Sequence, residues 1–229
     1  MDAYKVAVVD LGTNTFNLIL AKVTATAYYV FHSEKIPVMI GRGGISHGYI
    51  TGDAQARAEN ALMTYRDIIR RERIDKVYGI AASAFRNAQN GKEFQSYLER
   101  KSGIPIQVIS GIAEAQYIYK GVASALDLGQ APALIVDIGG GSVEFIIANN
   151  REILWLQSVE IGAQRLLDIF HREDPIPRKE LRKLDAYLHD QLGDLRVAIK
   201  KFRPRSLVGS SGAFDTLSEI FQKKNRISV

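Results

Sequence analysis

The stretch that decides the fold is IVDIGGGSVE, residues 135–144. It predicts a buried strand that ends near Asp137, a tight turn of three glycines, and a returning strand that carries Glu144. Because glycine has no side chain, a ligand can approach the backbone of this turn closely. The stretch therefore predicts a ligand-binding turn between two strands.

An earlier stretch, VVDLGTNTF at residues 8–16, repeats the same order of aliphatic residues, Asp, Gly, small residues, hydroxyl and apolar residue. Asp10 and Asp137 are 127 positions apart. That spacing is too long for a solenoid and is typical of two copies of one domain that face each other across a cleft. We expect a first domain at residues 1–128 and a second at residues 129–229.

Both copies begin with three strands, and helices and strands alternate afterwards. Asp53 is the predicted N-cap of the first helix. In the first copy we expect strands at 4–10, 16–23, 28–34, 77–82 and 104–110, and helices at 53–73, 92–101 and 113–126. In the second we expect strands at 133–137, 143–148, 153–159 and 206–209, and helices at 164–171, 178–202 and 213–221. The order predicts an α/β fold of mixed sheets flanked by helices, with a second unit that lacks a final strand and helix.

The composition is that of a globular protein, with 46% hydrophobic and 24% charged residues and a net charge of +5. No run of about 18 apolar residues is present, so we expect no membrane span. The chain opens without a signal-peptide pattern, which predicts a cytoplasmic location. The absence of cysteine excludes disulfides, thiolate zinc sites and cysteine nucleophiles.

The two glycine turns predict phosphate sites, because backbone N–H groups in such turns form a concave array that suits phosphate oxygens. Asp10 and Asp137 are sensible ligands for Mg²⁺, which takes one or two carboxylates together with water and phosphate. The alternative is that the glycines only permit tight turns. The candidate phosphate-binding residues of the turns are Gly12, Thr13, Asn14, Thr15, Gly139, Gly140, Gly141 and Ser142.

Two further segments are candidates for phosphate binding. Arg86 follows a predicted strand, in a loop position where a guanidinium can clamp a phosphate. Ser210, Ser211 and Gly212 precede the last predicted helix, whose free N–H groups favour an anion. A surface arginine and plain N-capping are the alternatives.

The two copies differ at one position of chemical importance. Glu144 lies seven residues after Asp137, and Asn17 lies seven residues after Asp10. A carboxylate in an apolar strand is costly unless it is paired or bound to a metal. We expect the second turn to carry the metal chemistry and the first mainly to hold phosphate.

Other motifs are absent. The four histidines have no metal-ligand spacing, and the chain has no GxxxxGK[ST] phosphate loop.

Six stretches of the chain resemble the exopolyphosphatase and guanosine pentaphosphate phosphohydrolase family of the actin, sugar-kinase and heat-shock chaperone ATPase superfamily. The resemblance covers nearly the whole chain. The stretches are VVDLGTNTFNLIL from residue 8, ASAFRNAQN from 82, VISGIAEAQYIYKGV from 108, VDIGGGSVEF from 136, SVEIGAQRL from 158 and LVGSSGAFDTL from 207.

The resemblance implies two actin-like, ribonuclease H-like units and Mg²⁺-dependent release of the terminal phosphate of inorganic polyphosphate or guanosine pentaphosphate. It implies that Glu114, from the first unit, directs the attacking water. Glu144 is then a metal ligand or a second catalytic carboxylate, and Asp10 and Asp137 are metal ligands. It also implies a homodimer and gives no reason to expect a nucleic acid or a membrane as partner.

Two other functions remain open at the level of the sequence. One is an ATP-dependent kinase of the same superfamily. The other is a non-catalytic module that binds polyphosphate or phosphate.

Overall fold

A computed structural model describes residues 3–225 and divides the chain into two compact units, Met1–Ser110 and Gly111–Val229. The predicted division at residue 128 differs from this one, and the helix between the two positions accounts for the difference.

The first unit is a five-stranded mixed sheet with helices. It has the five expected strands and the expected helices near residues 53–73 and 92–101, and it adds a short helix at Ser83–Asn87 that the sequence did not predict. Its sheet order is β3-β2-β1-β4-β5, in which β1, β4 and β5 are parallel and β2 is antiparallel to both of its neighbours. The elements are β1 (Tyr4–Leu11), β2 (Thr15–Val23), β3 (Tyr28–Pro37), a 3-10 turn (Ile45–His47), α1 (Gly52–Arg71), β4 (Lys76–Ala81), α2 (Ser83–Asn87), α3 (Gly91–Ser102) and β5 (Ile106–Val108).

Alternation along β1 and β2 buries one face of the first sheet, because successive side chains of a strand point to opposite faces. Leu11, Phe16 and Leu18 are buried there in one core with apolar residues of α1, and the Tyr65 hydroxyl of α1 donates to the Phe16 carbonyl oxygen at 2.8 Å. The N-cap of α1 is Thr51 and not Asp53 as predicted. The Thr51 hydroxyl accepts from the Ala54 amide, and Asp53 lies in the first turn, where its charge suits the helix dipole.

The second unit repeats the pattern with a four-stranded sheet in the order β8-β7-β6-β9. Strand β6 is antiparallel to β7 and parallel to β9, as β1 is to β2 and β4. Within residues 3–225 the second sheet has four strands where the first has five. The elements are α4 (Gly111–Ala125), β6 (Ala133–Ile138), β7 (Val143–Ala148), β8 (Ile153–Val159), α5 (Ala163–Phe170), α6 (Arg178–Gln191), α7 (Gly193–Phe202), β9 (Ser206–Ser210) and α8 (Gly212–Asn225).

Helix α4 belongs to the second unit because it packs on the second sheet. Ala115 is fully buried with Ile135 and Ile146, and further apolar residues of α4 lie against the same face. The opposite face of the sheet packs Phe145 together with Leu195 of α7. The sequence interpretation that placed Glu114 in the first unit is therefore corrected, since Glu114 lies in the first turn of α4.

One predicted helix is two helices. Residues 178–202 form α6 and α7, which meet at Leu192, with backbone angles φ −97° and ψ 18°. Gly193, a weak helix former, begins α7 and explains the break that the continuous apolar pattern concealed. No helix within residues 3–225 is long and apolar enough to cross a bilayer.

Candidate active site

Four polar residues form one row across the second sheet. Glu144 of β7 lies opposite Asp137 of β6 and opposite Ser158 of β8, and Asp137 lies opposite Ser210 of β9. Residues that face each other across neighbouring strands point to the same side of a sheet. We call Ser158, Glu144, Asp137 and Ser210 the polar row.

The polar row lies on the face that α4 covers. Two positions earlier or later on each strand, an apolar row of Ile135, Ile146, Leu156 and Val208 packs against α4. Because side chains alternate along a strand, the polar row lies on that same face. Glu114, in the first turn of α4, is close enough for its charge to act on Glu144.

Glu144 is the most deeply buried carboxyl of the row, with only 1% of its surface exposed. Its pKa is raised from 4.5 to about 8, first because burial disfavours the charged form and next because Glu114 is negatively charged. Hydrogen bonds from the Ser158 and Ser142 hydroxyls lower the pKa, and the charge of Asp137 raises it. The bond from Ser158 Oγ to Glu144 Oε1 is 2.7 Å long.

Asp137 has a raised pKa for the same first reason, burial. Hydrogen bonds from the Ser210 and Ser211 hydroxyls act in the opposite direction and lower the pKa. Ser211 has a left-handed backbone (φ 73°) that separates β9 from α8, and the Ile138 carbonyl oxygen, 3.1 Å from its Oγ, is a second acceptor for the same hydroxyl proton. The structure therefore brings the predicted residues Ser210 and Ser211 to the predicted residue Asp137.

The glycine turn at residues 139–142 has its carbonyl groups held by the start of α5. The amides of Ala163 and Gln164 donate to the Gly139 and Gly140 carbonyl oxygens, both at 2.9 Å, and the Gly162 amide donates to the Gly141 oxygen at 3.1 Å. In a trans peptide the C=O and the following N–H point in opposite directions. The N–H groups of residues 140, 141 and 142 therefore point away from α5.

Gly140, Gly141 and Ser142 are themselves buried. Within residues 3–225, the amides of Gly140 and Gly141 donate no hydrogen bond. Gly162 must be glycine for this arrangement, because a Cβ there would lie 2.4 Å from Gly140 and Gly141 backbone atoms. Unpaired N–H groups in a glycine turn suit phosphate oxygens, and phosphate binding by this turn stays a prediction.

The first unit places its candidates in the corresponding positions. Asp10 lies opposite Asn17, whose Nδ2 donates to Asp10 Oδ2 at 2.9 Å. The amides of Val38 and Met39 donate to the Asn14 carbonyl oxygen, and the Gly41 amide donates to the Thr13 oxygen. Gly12 and Thr15 complete this turn, in which an added Cβ at Gly12 would lie 2.7 Å from the Thr15 oxygen.

The sequence predicted a loop at Arg86, but the residue lies in the short helix α2. Its Nη1 donates to the Ile109 carbonyl oxygen at 3.0 Å. Leu11, Ala81 and Val108 end the three parallel strands in one row. Arg86 follows β4 and therefore lies at the carboxyl end of the parallel strands, as does the turn that follows Asp10.

Comparison with known proteins decides the family. The model of the Ppx/GppA phosphatase family matches residues 19–228. The chain belongs to the Ppx/GppA phosphatase family.

Individual proteins that the chain resembles support the same family. A Haemophilus influenzae protein provisionally named exopolyphosphatase is 26% identical over 216 residues, which are 94% of this chain and 67% of that protein. The crystal structure of an exopolyphosphatase from Cytophaga hutchinsonii is 38% identical, with a TM-score of 0.92, over 98% of this chain and 72% of that one. The Aquifex aeolicus PPX-GPPA enzyme is 25% identical, with a TM-score of 0.67, over 85% and 64%.

A more distant likeness concerns the fold alone. A chain of the PilM–PilN type IV pilus biogenesis complex is 11% identical, with a TM-score of 0.52, over 96% of this chain and 84% of that one. Together the matches confirm the family resemblance and the predicted fold of actin-like units of mixed sheet flanked by helices. The assignment of this Ppx/GppA chain as an exopolyphosphatase-like phosphohydrolase that acts on acid anhydrides is confirmed at the level of the family.

The carboxyl pair of the polar row fits a hard divalent cation. Asp137 and Glu144 offer oxygen donors, and their raised pKa values show that negative charge is costly there without a counter-ion. In the described part of the chain, no three His, Cys, Asp or Glu side chains are grouped as metal ligands. The pair therefore fits Mg²⁺ that shares its coordination with water and phosphate, and not a site closed by protein ligands.

Ser158 is a residue of the site that the sequence did not single out. Its stretch contributed to the family resemblance, but its contact with Glu144 depends on the register of β7 and β8. That register shifts at an irregularity between Ile147 and Ala148, which no sequence pattern marks.

Proposed function

We propose that this chain hydrolyses the terminal phosphoanhydride bond of inorganic polyphosphate in a reaction that depends on Mg²⁺, and that guanosine pentaphosphate is a second substrate of the same site. The observation that carries the proposal is the polar row, in which the buried Glu144 and the half-buried Asp137 lie beside the glycine turn and Glu114 is close enough for its charge to act on Glu144. The family supports the reaction class, and the names of its members support the substrate.

Phosphate is held, in this proposal, by the outward N–H groups of residues 140–142 and by Ser210, Ser211 and Gly212. In the first unit the candidate phosphate-binding residues are Gly12, Thr13, Asn14, Thr15 and Arg86. Asp10 is a further candidate ligand of a cation. A divalent cation on Asp137 and Glu144 supplies charge neutralisation when it is bound.

Water is directed by Glu114 in this mechanism. The water oxygen forms a bond to the terminal phosphorus while the bond from phosphorus to the bridging oxygen breaks, and the shortened polyphosphate leaves with that electron pair. Glu114 takes the proton that the water loses. The raised pKa of Glu144 favours its protonated form, which limits negative charge beside the incoming phosphate, and a cation held there would favour the ionised form.

A phosphate-release assay tests the proposal. Purified protein is offered polyphosphate, guanosine pentaphosphate and ATP, each with and without Mg²⁺ and with no phosphate acceptor. We expect release from polyphosphate in Mg²⁺. A requirement for an acceptor would identify a kinase, and polyphosphate binding without release would identify a binding module. Light scattering of the same preparation measures the homodimer that forms part of the proposal.

Replacing Glu114 tests its role. We expect Glu114→Ala to lower kcat by roughly 10²–10⁴, the usual contribution of a positioned base, with polyphosphate binding largely retained. Glu173→Ala is the matched control, because Glu173 is exposed in the same unit. Unchanged turnover of a folded Glu114→Ala protein would remove Glu114 from the mechanism.

A further inference from the structure

Arg165 holds the glycine turn of the second unit through its side chain as well as its backbone. Its Nε donates to the Gly141 carbonyl oxygen at 3.1 Å, and its amide donates to the Gly140 oxygen at 3.2 Å. The side chain is only 14% exposed. One residue thus holds two consecutive carbonyl groups of the turn.

Glu160 fixes the guanidinium in this position. Arg165 Nη2 donates to Glu160 Oε2 at 2.8 Å, so that the planar guanidinium bonds to Glu160 with one edge nitrogen and to Gly141 with Nε. A fixed fork of donors is a property of arginine that lysine lacks. Glu160 and Arg165 flank Gly162, which packs directly on the turn.

The contact with Gly141 sets the direction of an N–H group that the site uses. The C=O of Gly141 and the N–H of Ser142 belong to one planar peptide, so holding the oxygen toward Arg165 turns the N–H away from it. The Arg165 amide acts in the same way on the Gly140 oxygen and the Gly141 N–H.

We propose that Arg165, oriented by Glu160, is a positioning residue that holds the N–H groups of the glycine turn in the direction needed to bind a phosphate of the substrate chain. This inference rests on the proposed function, because it takes the turn to be a phosphate site. Arg165 acts through the turn and does not touch the phosphate.

The test compares Arg165→Lys, Glu160→Gln and the control Arg182→Lys, which changes an exposed arginine of α6. Kinetics with polyphosphate in Mg²⁺ give kcat and KM, calorimetry gives the binding of tripolyphosphate in Mg²⁺, and thermal unfolding shows that each variant is folded. For Arg165→Lys we expect KM and the dissociation constant to rise roughly 10-fold, the scale of one charged hydrogen bond, while kcat changes less than about threefold. Glu160→Gln should give the same pattern more weakly, because its amide oxygen still accepts from Arg165.

The two readouts separate the inference from the proposed function. If the wild-type protein binds tripolyphosphate but releases no phosphate, the proposed function fails, while weaker binding by Arg165→Lys still supports the inference. Unchanged KM and binding in folded Arg165→Lys, or a loss of kcat that follows a lower melting temperature with KM unchanged, would overturn the inference. Absence of any binding by the wild-type protein would overturn both.

Discussion

The two units share a topology but carry different side chains in the same row. In the first sheet the row reads Lys35, Asn17, Asp10 and Ile80, and in the second it reads Ser158, Glu144, Asp137 and Ser210. Only the Asp is common to both. The shared strand topology therefore fixes where each side chain of the row lies, and the residue type at each position determines the chemistry.

The faces that carry the two rows also differ in their cover. Val8 and Ile19 of the first sheet are 38% and 40% exposed, whereas Ile135 and Ile146 of the second are fully buried under α4. Asp10 is exposed, and burial raises the pKa of Asp137. The covering helix therefore makes negative charge more costly in the second row than in the first.

Both glycine turns are nevertheless held in the same manner. The segment that follows the third strand of each unit, residues 38–41 after β3 and residues 162–165 after β8, donates its amides to the carbonyl groups of the turn. An arginine supports each clamp. Arg57 donates to the Val38 and Met39 oxygens at 2.7 and 3.0 Å, and Arg165 donates to the turn itself.

We expect the largest effect on kcat from a variant that makes the second row resemble the first at the position of Glu144. Glu144→Gln gives the second row an amide beside its Asp, as Asn17 stands beside Asp10. We expect kcat for polyphosphate to fall by roughly 10²–10⁴, because the amide offers no negative charge to a cation. The phosphate-release assay at saturating Mg²⁺ measures this loss.

Asn17→Ala is the matched change in the first unit. It removes the hydrogen bond to Asp10 but no charge, and we expect kcat to fall less than about 10-fold. Equal losses in the two variants would contradict the assignment of the metal chemistry to the second row.

The same Glu144→Gln variant should also change how stability depends on pH. The Glu144 carboxyl has a pKa of about 8 when folded against a reference of 4.5, so the folded protein keeps a proton that the unfolded chain has lost. The contribution of Glu144 to the free energy of unfolding is fully present below the reference pKa and is lost as the pH rises through the folded pKa. Glutamine cannot lose a proton, and the variant should lack this part of the slope.

Urea unfolding without divalent cations measures the effect. From about pH 5 to about pH 9, we expect the free energy of unfolding of the variant to rise relative to that of the wild-type protein, at about 1.4 kcal/mol per unit of pKa shift. Glu173→Gln, an exposed change in the same unit, should show no such gain. Parallel pH profiles of wild type and Glu144→Gln would mean that Glu144 titrates normally.

Local patterns in the sequence predicted most of the fold and the centre of the site. Alternation and glycine turns located the strands that carry Asp10 and Asp137, and the comparison of Glu144 with Asn17 identified the residue that burial makes unusual. Those signals are local, because they depend on the period of side chains and on turn chemistry.

Packing between distant elements was not predictable in this way. The assignment of α4 to the second sheet depends on contacts of Ala115 with Ile135 and Ile146, although an apolar face on α4 is equally compatible with either sheet. The clamp of Arg165 on Gly141 joins residues 24 positions apart through a turn and a helix start. Only the assembled backbone shows which carbonyl lies within reach.

The smallest of the three effects concerns the end of the row. Ser158→Ala removes the 2.7 Å hydrogen bond that lowers the pKa of Glu144, so that this pKa should rise further. A cation then needs a higher pH to displace the proton. We expect the acidic limb of the Mg²⁺-dependent pH profile of activity to move upward by up to about one pH unit, with kcat at the optimum changed less than about threefold.

Ser33→Ala, an exposed change on β3 of the first unit, should leave the profile in place. A shift toward lower pH would mean that Ser158 stabilises the protonated form of Glu144, and the row would then bind a cation in spite of Ser158.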